Sequence, residues 1–175
     1  MNYSIKLLSF LTLGLTSSIL SNAKEHTNFI VILMDDMGYG DIESNGATGY
    51  ETPNINALQS QALTFTHYYA PQAVSGASRA GLLTGCYPNR IGLSGAPFPG
   101  SNTGISNSEM TIADMLKKNG YKCAALGKWH LGDHQKFLPL QHGFDEFYGI
   151  PYSNDMWPNH PTLDFPDLPL FEGNK

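Results

Sequence analysis

Phe29-Ile30-Val31-Ile32-Leu33-Met34 is an unbroken apolar run with three β-branched members, ended at once by Asp35-Asp36. Such a run predicts a strand buried on both faces, the kind found in parallel sheets. Gly38, Gly40, Gly46 and Gly49 then mark a long loop. Thr52-Pro53 predicts a helix start, with Thr as N-cap and Pro at the first helical position. Ile55, Leu58, Ala62 and Leu63 give that helix an apolar face. Leu63 to Tyr69 alternates like a second strand. A loop at Pro71-Gln72 leads to Ser75, then a short helix through Arg79 to Leu83, ended by Gly85. Residues 92–104 are rich in Gly, Pro and Ser and show no periodicity. Ser108-Glu109-Met110-Thr111 opens another helix, with Ile112, Met115 and Leu116 inward and Gly120 as its stop. Tyr121 to Leu126 predicts a third strand, and from Gly127 on the chain reads mostly as loop.

Strands alternating with helices argue an α/β sheet with parallel members. Ligands in open α/β sheets bind beyond the carboxyl ends of the strands, where the long loops of this chain fall. Past Asp145 come Pro151, Pro158, Pro161, Pro166 and Pro169, and the chain ends at Glu172-Gly173-Asn174-Lys175 in mid-loop. Three strands are fewer than such a sheet usually has. Residues 24–175 therefore read as the incomplete N-terminal part of a longer domain.

The chain has 175 residues, 41% hydrophobic, 14% charged and 11% aromatic. That composition suits one hydrophobic core and excludes a disordered tail or a coiled coil. The formal net charge is -5, with ten Lys and Arg and no basic cluster. This argues against nucleic acid as a partner. At the start, Lys6 precedes the apolar run Leu7 to Leu15, a softer stretch to Leu20, and Ser21-Asn22-Ala23. Residues 1–23 read as a secretory signal peptide. The competing reading is an uncleaved anchor, but the apolar part is shorter than the roughly 20 residues of a spanning helix. The expectation is an exported protein, periplasmic or extracellular, without stable membrane insertion. No Cys follows the run, which argues against a lipoprotein. Cys86 and Cys123 fit no metal spacing and read as small core residues, unpaired rather than paired.

Three places carry chemistry. Asp35 and Asp36 repel each other unless a cation or a proton intervenes. A hard divalent ion such as Ca²⁺ or Mg²⁺ suits them; a solvated turn with Asp36 as a cap is the other reading. Ser75-Gly76-Ala77-Ser78-Arg79 precedes small residues that would let the backbone approach a ligand, at a helix N-terminus suited to an oxyanion. A plain helix N-cap is the alternative. The segment is not a nucleophile elbow, since Gly76-Ala77-Ser78-Arg79-Ala80 lacks the second Gly. Lys128 and His130, two apart in an extended segment, would point the same way into the strand-end crevice. Each alone reads as a surface group; together with Asp35, Asp36 and Arg79 they read as a charged-ligand or metal site. His26, His67, His134, His142 and His160 read as loop or packing histidines, with His142 the foremost exception.

Those residues resemble a family. Asn28 to Asp36, Thr52-Pro53-Asn54-Ile55, Ser75 to Gly85 and Gly127-Lys128-Trp129-His130-Leu131-Gly132 resemble the type I, formylglycine-dependent sulfatases. Gly143 to Ser153 is similar to their arylsulfatase A branch. The resemblance runs from about Asn28 to Trp157. It implies an alkaline-phosphatase-like sandwich with a central, mostly parallel sheet. It also implies hydrolysis of sulfate esters. The nucleophile is a formylglycine derived from Ser75, within a Ser-x-Ala-x-Arg pattern that departs from the commoner Cys-x-Pro-Ser-Arg. A serine there implies a serine-type, radical-SAM maturing enzyme as partner. By the family pattern, Asp35, Asp36 and modified Ser75 bind Ca²⁺, and Arg79 holds the formylglycine. Lys128 touches both formylglycine and sulfate, His130 hydrogen-bonds the hydrated aldehyde, and Ser153 contacts substrate. A sulfated small molecule or sulfated glycan is the expected substrate. The family's later Asp-Asn pair, second His and second Lys match nothing in this sequence. The alternatives are a phosphatase, phosphodiesterase or phosphonate hydrolase of the same superfamily, or an inactive anion-binding relative.

Overall fold

The computed structural model describes residues 27–175. The expected signal peptide lies outside them. The chain divides into two units, Met1–Asp36 and Met37–Lys175. In the described part of the first unit, residues 29–34 form no strand, and their side chains run from 45% exposed at Met34 to 88% at Ile30. The expected doubly buried strand is thus absent. A run apolar on both faces needs a layer covering each face, and the side chains of this run lie exposed.

The second unit begins with single turns of 3-10 helix at Tyr39–Asp41 and Glu43–Asn45, then α1, Pro53–Gln61. Thr52 occupies the N-cap and Pro53 the first helical position, as the sequence predicts. The Thr52 hydroxyl does not cap the helix; its oxygen accepts from Glu43 N at 3.1 Å, tying the helix to the preceding turn. The expected second strand at Leu63–Tyr69 is not formed, and Leu63, Phe65, Tyr68 and Tyr69 are exposed. Helix α2 is Ser75–Thr84 and ends at Gly85, whose φ of 68° is the left-handed C-cap that glycine allows. Helix α3 is Ile112–Lys118. Thr111 and Asp114 cap its start reciprocally, each side chain meeting the other's backbone N–H. Its inward face is Thr111 and Ala113, whereas Ile112 and Met115 are exposed, contrary to the pattern read from the sequence.

The sheet comes late in the chain. Strand β1 is Ala124–Lys128, two to three residues beyond the predicted position. Strand β2, Glu146–Ile150, pairs with β1 in parallel, from Ala124 opposite Glu146 to Lys128 opposite Ile150. Strand β3, Phe171–Glu172, closes the other edge antiparallel to β2. The crossover from β1 to β2 contains only two single 3-10 turns, at Gln135–Phe137 and Pro139–Gln141. It was expected to be loop, as was β2. The pairing continues past β1, since Trp129 N donates to Ile150 O at 2.9 Å and His130 N to Pro151 O at 3.0 Å.

The core gathers Ala80 of α2, Leu93, Ile105, Trp129, Leu131 and Phe147 of β2. Trp129 lies within it, 4% exposed. Its indole N–H donates to Phe137 O at 2.8 Å, one ring neighbour is His142 at 6.2 Å, and Phe144 meets it edge-on at 5.8 Å. A buried Trp needs a partner for its N–H, and the crossover loop provides one. Cys86 is exposed and Cys123 half-buried, both free; the core reading fails for Cys86. No described helix is long and apolar enough to cross a membrane.

Candidate active site

Ser75 is the first residue of α2, half-buried, while Val74 holds the N-cap position. The hydroxyl is therefore not a helix cap. It accepts a hydrogen bond from Arg79 Nε at 3.1 Å, one turn further on. Arg79 also reaches across to the sheet, its Nη1 donating to Lys128 O at 2.5 Å. One guanidinium thus joins Ser75 to the end of β1, and its planar fork suits that double duty.

The small residues of this segment do not leave room for a ligand, as the sequence suggested. They admit the chain itself. A side-chain carbon at Gly76 would lie 2.8 Å from Gly95 O, 2.9 Å from Pro97 Cδ and 3.0 Å from His130 O. Ala77 and Ala80 are fully buried. Glycine at 76 thus lets the start of α2 lie directly against the backbone of His130.

Lys128 ends β1, and its Nζ donates to Ser153 Oγ at 3.4 Å. His130 does not continue the extended strand. Its φ is 56°, a left-handed conformation unusual for any residue but glycine. The imidazole is 2% exposed, and neither ring nitrogen has a hydrogen-bond partner among the described residues. Buried polar atoms are nearly always paired, so this pair of nitrogens marks a place made for something polar. Burial foremost, then the positive charges of Lys128 and Arg79, lower the His130 pKa to about 4. The Pro97 carbonyl and Asp155 act in the opposite direction, the former without meeting hydrogen-bond geometry. At neutral pH the ring is uncharged.

Asp155 belongs to the same neighbourhood, although the sequence reading stopped at Ser153. The Ser153 hydroxyl is the main cause that holds its carboxyl below the usual range, and the charges of Lys128 and His160 add to this. Its spacing of two from Ser153, within a loop following β2, was the available signal. His142, singled out earlier, is a packing histidine: 1% exposed, stacked by Trp129, its Nε2 3.2 Å from Lys136 O.

The structure thus brings Ser75, Arg79, Lys128, His130 and Ser153 together within the second unit. Asp35 and Asp36 lie in the first unit, exposed, at a turn in which Asp36 has φ 56°. Their carboxylates are the hard oxygen donors that Ca²⁺ takes, but Ca²⁺ needs six to eight ligands. Among the described residues no three His, Cys, Asp or Glu side chains converge on one point. The donor chemistry fits the ion; the described set is a part of what it needs.

A helix N-terminus carrying a hydroxyl held by arginine, beside a lysine and a buried neutral imidazole at a parallel strand's end, is an arrangement suited to an anion in an α/β protein. A family model for sulfatases matches residues 27–167, and the chain belongs to that family. It is 42% identical over 166 residues to arylsulfatase A of Bos taurus, covering 93% of this chain and 32% of that protein. It is 38% identical to N-acetylgalactosamine-6-sulfatase of Mus musculus, covering 87% and 32% respectively. The chain thus spans about a third of the length of these relatives. Among solved structures, Ps i-CgsB superposes with a TM-score of 0.66 at 39% identity, over 71% of this chain and 28% of that one. That protein has also been solved with a neocarrahexaose. The PsFucS1 sulfatase from Pseudoalteromonas sp. superposes with a TM-score of 0.64 at 37% identity, over 70% of this chain and 25% of that one. The α/β architecture expected from the sequence, part of an alkaline-phosphatase-like fold, is the one observed.

Proposed function

We propose that the protein of which this chain is part hydrolyses sulfate esters, and that Ser75, converted to formylglycine, is its nucleophilic position. The observation that carries this reading is the Arg79 bridge from Ser75 Oγ to the Lys128 carbonyl, next to a buried His130 with both nitrogens unpaired. Once formed, the formylglycine supplies a hydrated aldehyde whose hydroxyl is the nucleophile toward sulfur. Arg79 orients the side chain at position 75 through Nε. Lys128, anchored on Ser153, presents a positive charge to the sulfate oxygens, where charge grows during transfer. Ser153 fixes that ammonium and offers its hydroxyl to the substrate. His130, neutral at pH 7, both accepts a hydrogen bond at one nitrogen and donates one at the other. In this reading it holds a hydroxyl at position 75 and takes its proton. Asp35 and Asp36, together with the modified residue 75, would hold Ca²⁺, which supplies Lewis acidity toward the same oxygens.

The reading carries a serine-type maturing enzyme as partner, a sulfated small molecule or glycan as substrate, and export to the periplasm or beyond. Mass spectrometry of the peptide containing Ser75, from protein made with a serine-competent maturase, tests it. The expected peptide is lighter by two hydrogens. An unmodified Ser75 in protein that still cleaves sulfate esters refutes the nucleophile assignment. An unmodified Ser75 in protein that only binds sulfate establishes an inactive anion-binding relative instead.

A further inference from the structure

Residues 92–104, rich in Gly, Pro and Ser, form neither helix nor strand. The loop is nonetheless fastened at both ends. Leu93 is buried in the core and its N–H donates to Pro88 O at 2.9 Å. Ile105, fully buried, donates its N–H to Leu131 O at 2.9 Å. Between these ends the chain passes the candidate active site. Pro97 is buried, and its Cδ and Gly95 O are two of the three atoms that a side-chain carbon at Gly76 would strike. The Pro97 carbonyl acts on the His130 ring. The middle of the loop is therefore one wall of the site, resting on the residue after Ser75 and bordering the imidazole.

Two side chains from outside the loop hold this wall. Gln72, half-buried just ahead of α2, donates from its carboxamide Nε2 to Ser94 O. Gln72 is itself tied to the helix, because its main-chain oxygen accepts from the Ser78 hydroxyl. Its neighbour Pro71 packs over Gly81, where any side chain would collide with Pro71 Cγ. At the other end Asp133, three residues beyond His130, accepts at Oδ2 from Gly100 N at 2.6 Å. Ser101 N closes the adjoining turn onto Phe98 O at 3.0 Å. Both clamps grip main-chain atoms, so they set the path of residues 94–100 whatever side chains that stretch carries. Such a grip is needed, since Gly95 and Gly100 restrict their own backbone very little.

We infer that Gln72 and Asp133 are positioning residues: they clamp residues 94–100 against Gly76 and His130 and so fix the imidazole relative to position 75. This rests on the sulfatase reading above. Both act through the backbone of the loop and not on the reacting atoms. Sulfate itself is met by Lys128, whose ammonium is anchored on Ser153 and not on this loop. Loosening the wall therefore spoils alignment in the reacting step and leaves ground-state binding of the ester largely in place.

The test uses the full-length, matured protein with 4-nitrophenyl sulfate as probe, well below the melting temperature of every variant so that lost stability does not enter. Gln72→Met keeps the length of the side chain and removes its donor. Asp133→Ala removes the acceptor for Gly100 N, and Asp133→Asn restores one. Misplacement of a reacting group by about 1 Å costs up to a hundredfold in rate, and a wall freed at one of its holds should cost about tenfold. The expected result is a fall in kcat of about tenfold in Gln72→Met and Asp133→Ala, with KM within about twofold of the parent and most of the rate recovered in Asp133→Asn. Amide hydrogen exchange across residues 94–100 should quicken in the first two variants alone. Faster exchange with unchanged kcat, a rise in KM in place of the fall in kcat, or an Asp133→Asn protein as slow as Asp133→Ala overturns the positioning role and leaves the sulfatase reading intact. A matured parent that splits no sulfate ester overturns the sulfatase reading, and the positioning role falls with it.

Discussion

Replacing Gly76 by Ala pits two opposed effects against each other at the nucleophile's neighbour. Inside a helix, Ala is favoured over Gly by about 1 kcal/mol. At this position, however, the added methyl would lie 2.8 Å from Gly95 O, 2.9 Å from Pro97 Cδ and 3.0 Å from His130 O. Two of those three atoms belong to the backbone and cannot rotate aside. Overpacking of this kind costs about 1–3 kcal/mol, and the site lies among fully buried Ala77 and Ala80. Position 76 is also in the first turn, where the propensity gain is smallest, so the steric term wins. The expected result is a lower melting temperature, by about 2–4 °C for each kcal/mol in a domain of 150–250 residues. Activity should fall further than stability, because relief of the clash moves Ser75 away from His130. Gly40→Ala is the control, since a methyl there meets nothing within 4 Å. Differential scanning calorimetry and sulfate-ester turnover of both variants give the answer. A Gly76→Ala protein that melts higher than its parent and turns over unchanged would refute the close-packing argument.

Three further outcomes are expected. Asp145 Oδ2 accepts from Cys123 N at 3.0 Å and Oδ1 meets Lys117 Nζ at 2.9 Å, and these hold its pKa at about 2, backbone bond first. Its contribution to stability is present above the ordinary carboxylate pKa and is lost as pH falls through about 2; the melting gap between parent and Asp145→Asn should close below pH 4, and a gap that persists unchanged at pH 2 contradicts this. His130 should titrate near 4 by NMR, since burial lowers its pKa, so the unfolded state binds more protons between about 4 and 6.5 and stability is lost as pH falls through that window; a midpoint above 6 would mean a solvated ring. Asp35→Asn and Asp36→Asn should each weaken Ca²⁺ binding by calorimetry, because each removes a charged hard-oxygen donor; full affinity in either variant removes these carboxylates from the ligand set.

What the sequence revealed is what its local chemistry determines. Thr52-Pro53 starts α1, Gly85 with φ 68° stops α2, and Thr111 with Asp114 opens α3. Each rests on one or two residues acting on their own backbone. Sheet membership does not. The apolar runs at 29–34 and 63–69 are patterned as strands, yet neither joins a ladder in the described chain. Meanwhile β2 went unread. Its burial alternates, with Phe147 and Gly149 in and Glu146 and Tyr148 out, but the glycine hid the period. That glycine is required, since a side chain at 149 would lie 1.9 Å from Gly127 O on the paired strand. The face of α3 was misread for a related reason: capping places Thr111 against His142 O at 2.8 Å, and this rather than apolar spacing sets which side turns inward.

The site shows the same division. Ser75 and Arg79 are one helical turn apart, and their contact could be read from spacing alone. Lys128 and His130 share a face only in an extended chain, in which alternate residues point the same way. The chain is not extended there. His130 has φ 56°, and Gly127, just before Lys128, has φ 96°. A left-handed residue with a side chain costs roughly 1–3 kcal/mol and persists only when its surroundings over-determine it. Here three contacts do so, each from a different part of the chain. The His130 N–H is held by Pro151 O, its carbonyl lies against the bare Cα of Gly76, and its ring is enclosed to 2% exposure. Without the first, the ladder would end at Trp129; without the second, α2 could not approach. The kink is what carries the imidazole out of the alternating pattern, within reach of the charges of Lys128 and Arg79. The identity of the site's residues was therefore legible as composition at strand ends, whereas their convergence depends on contacts between Gly76, Pro151 and His130 that no local pattern encodes.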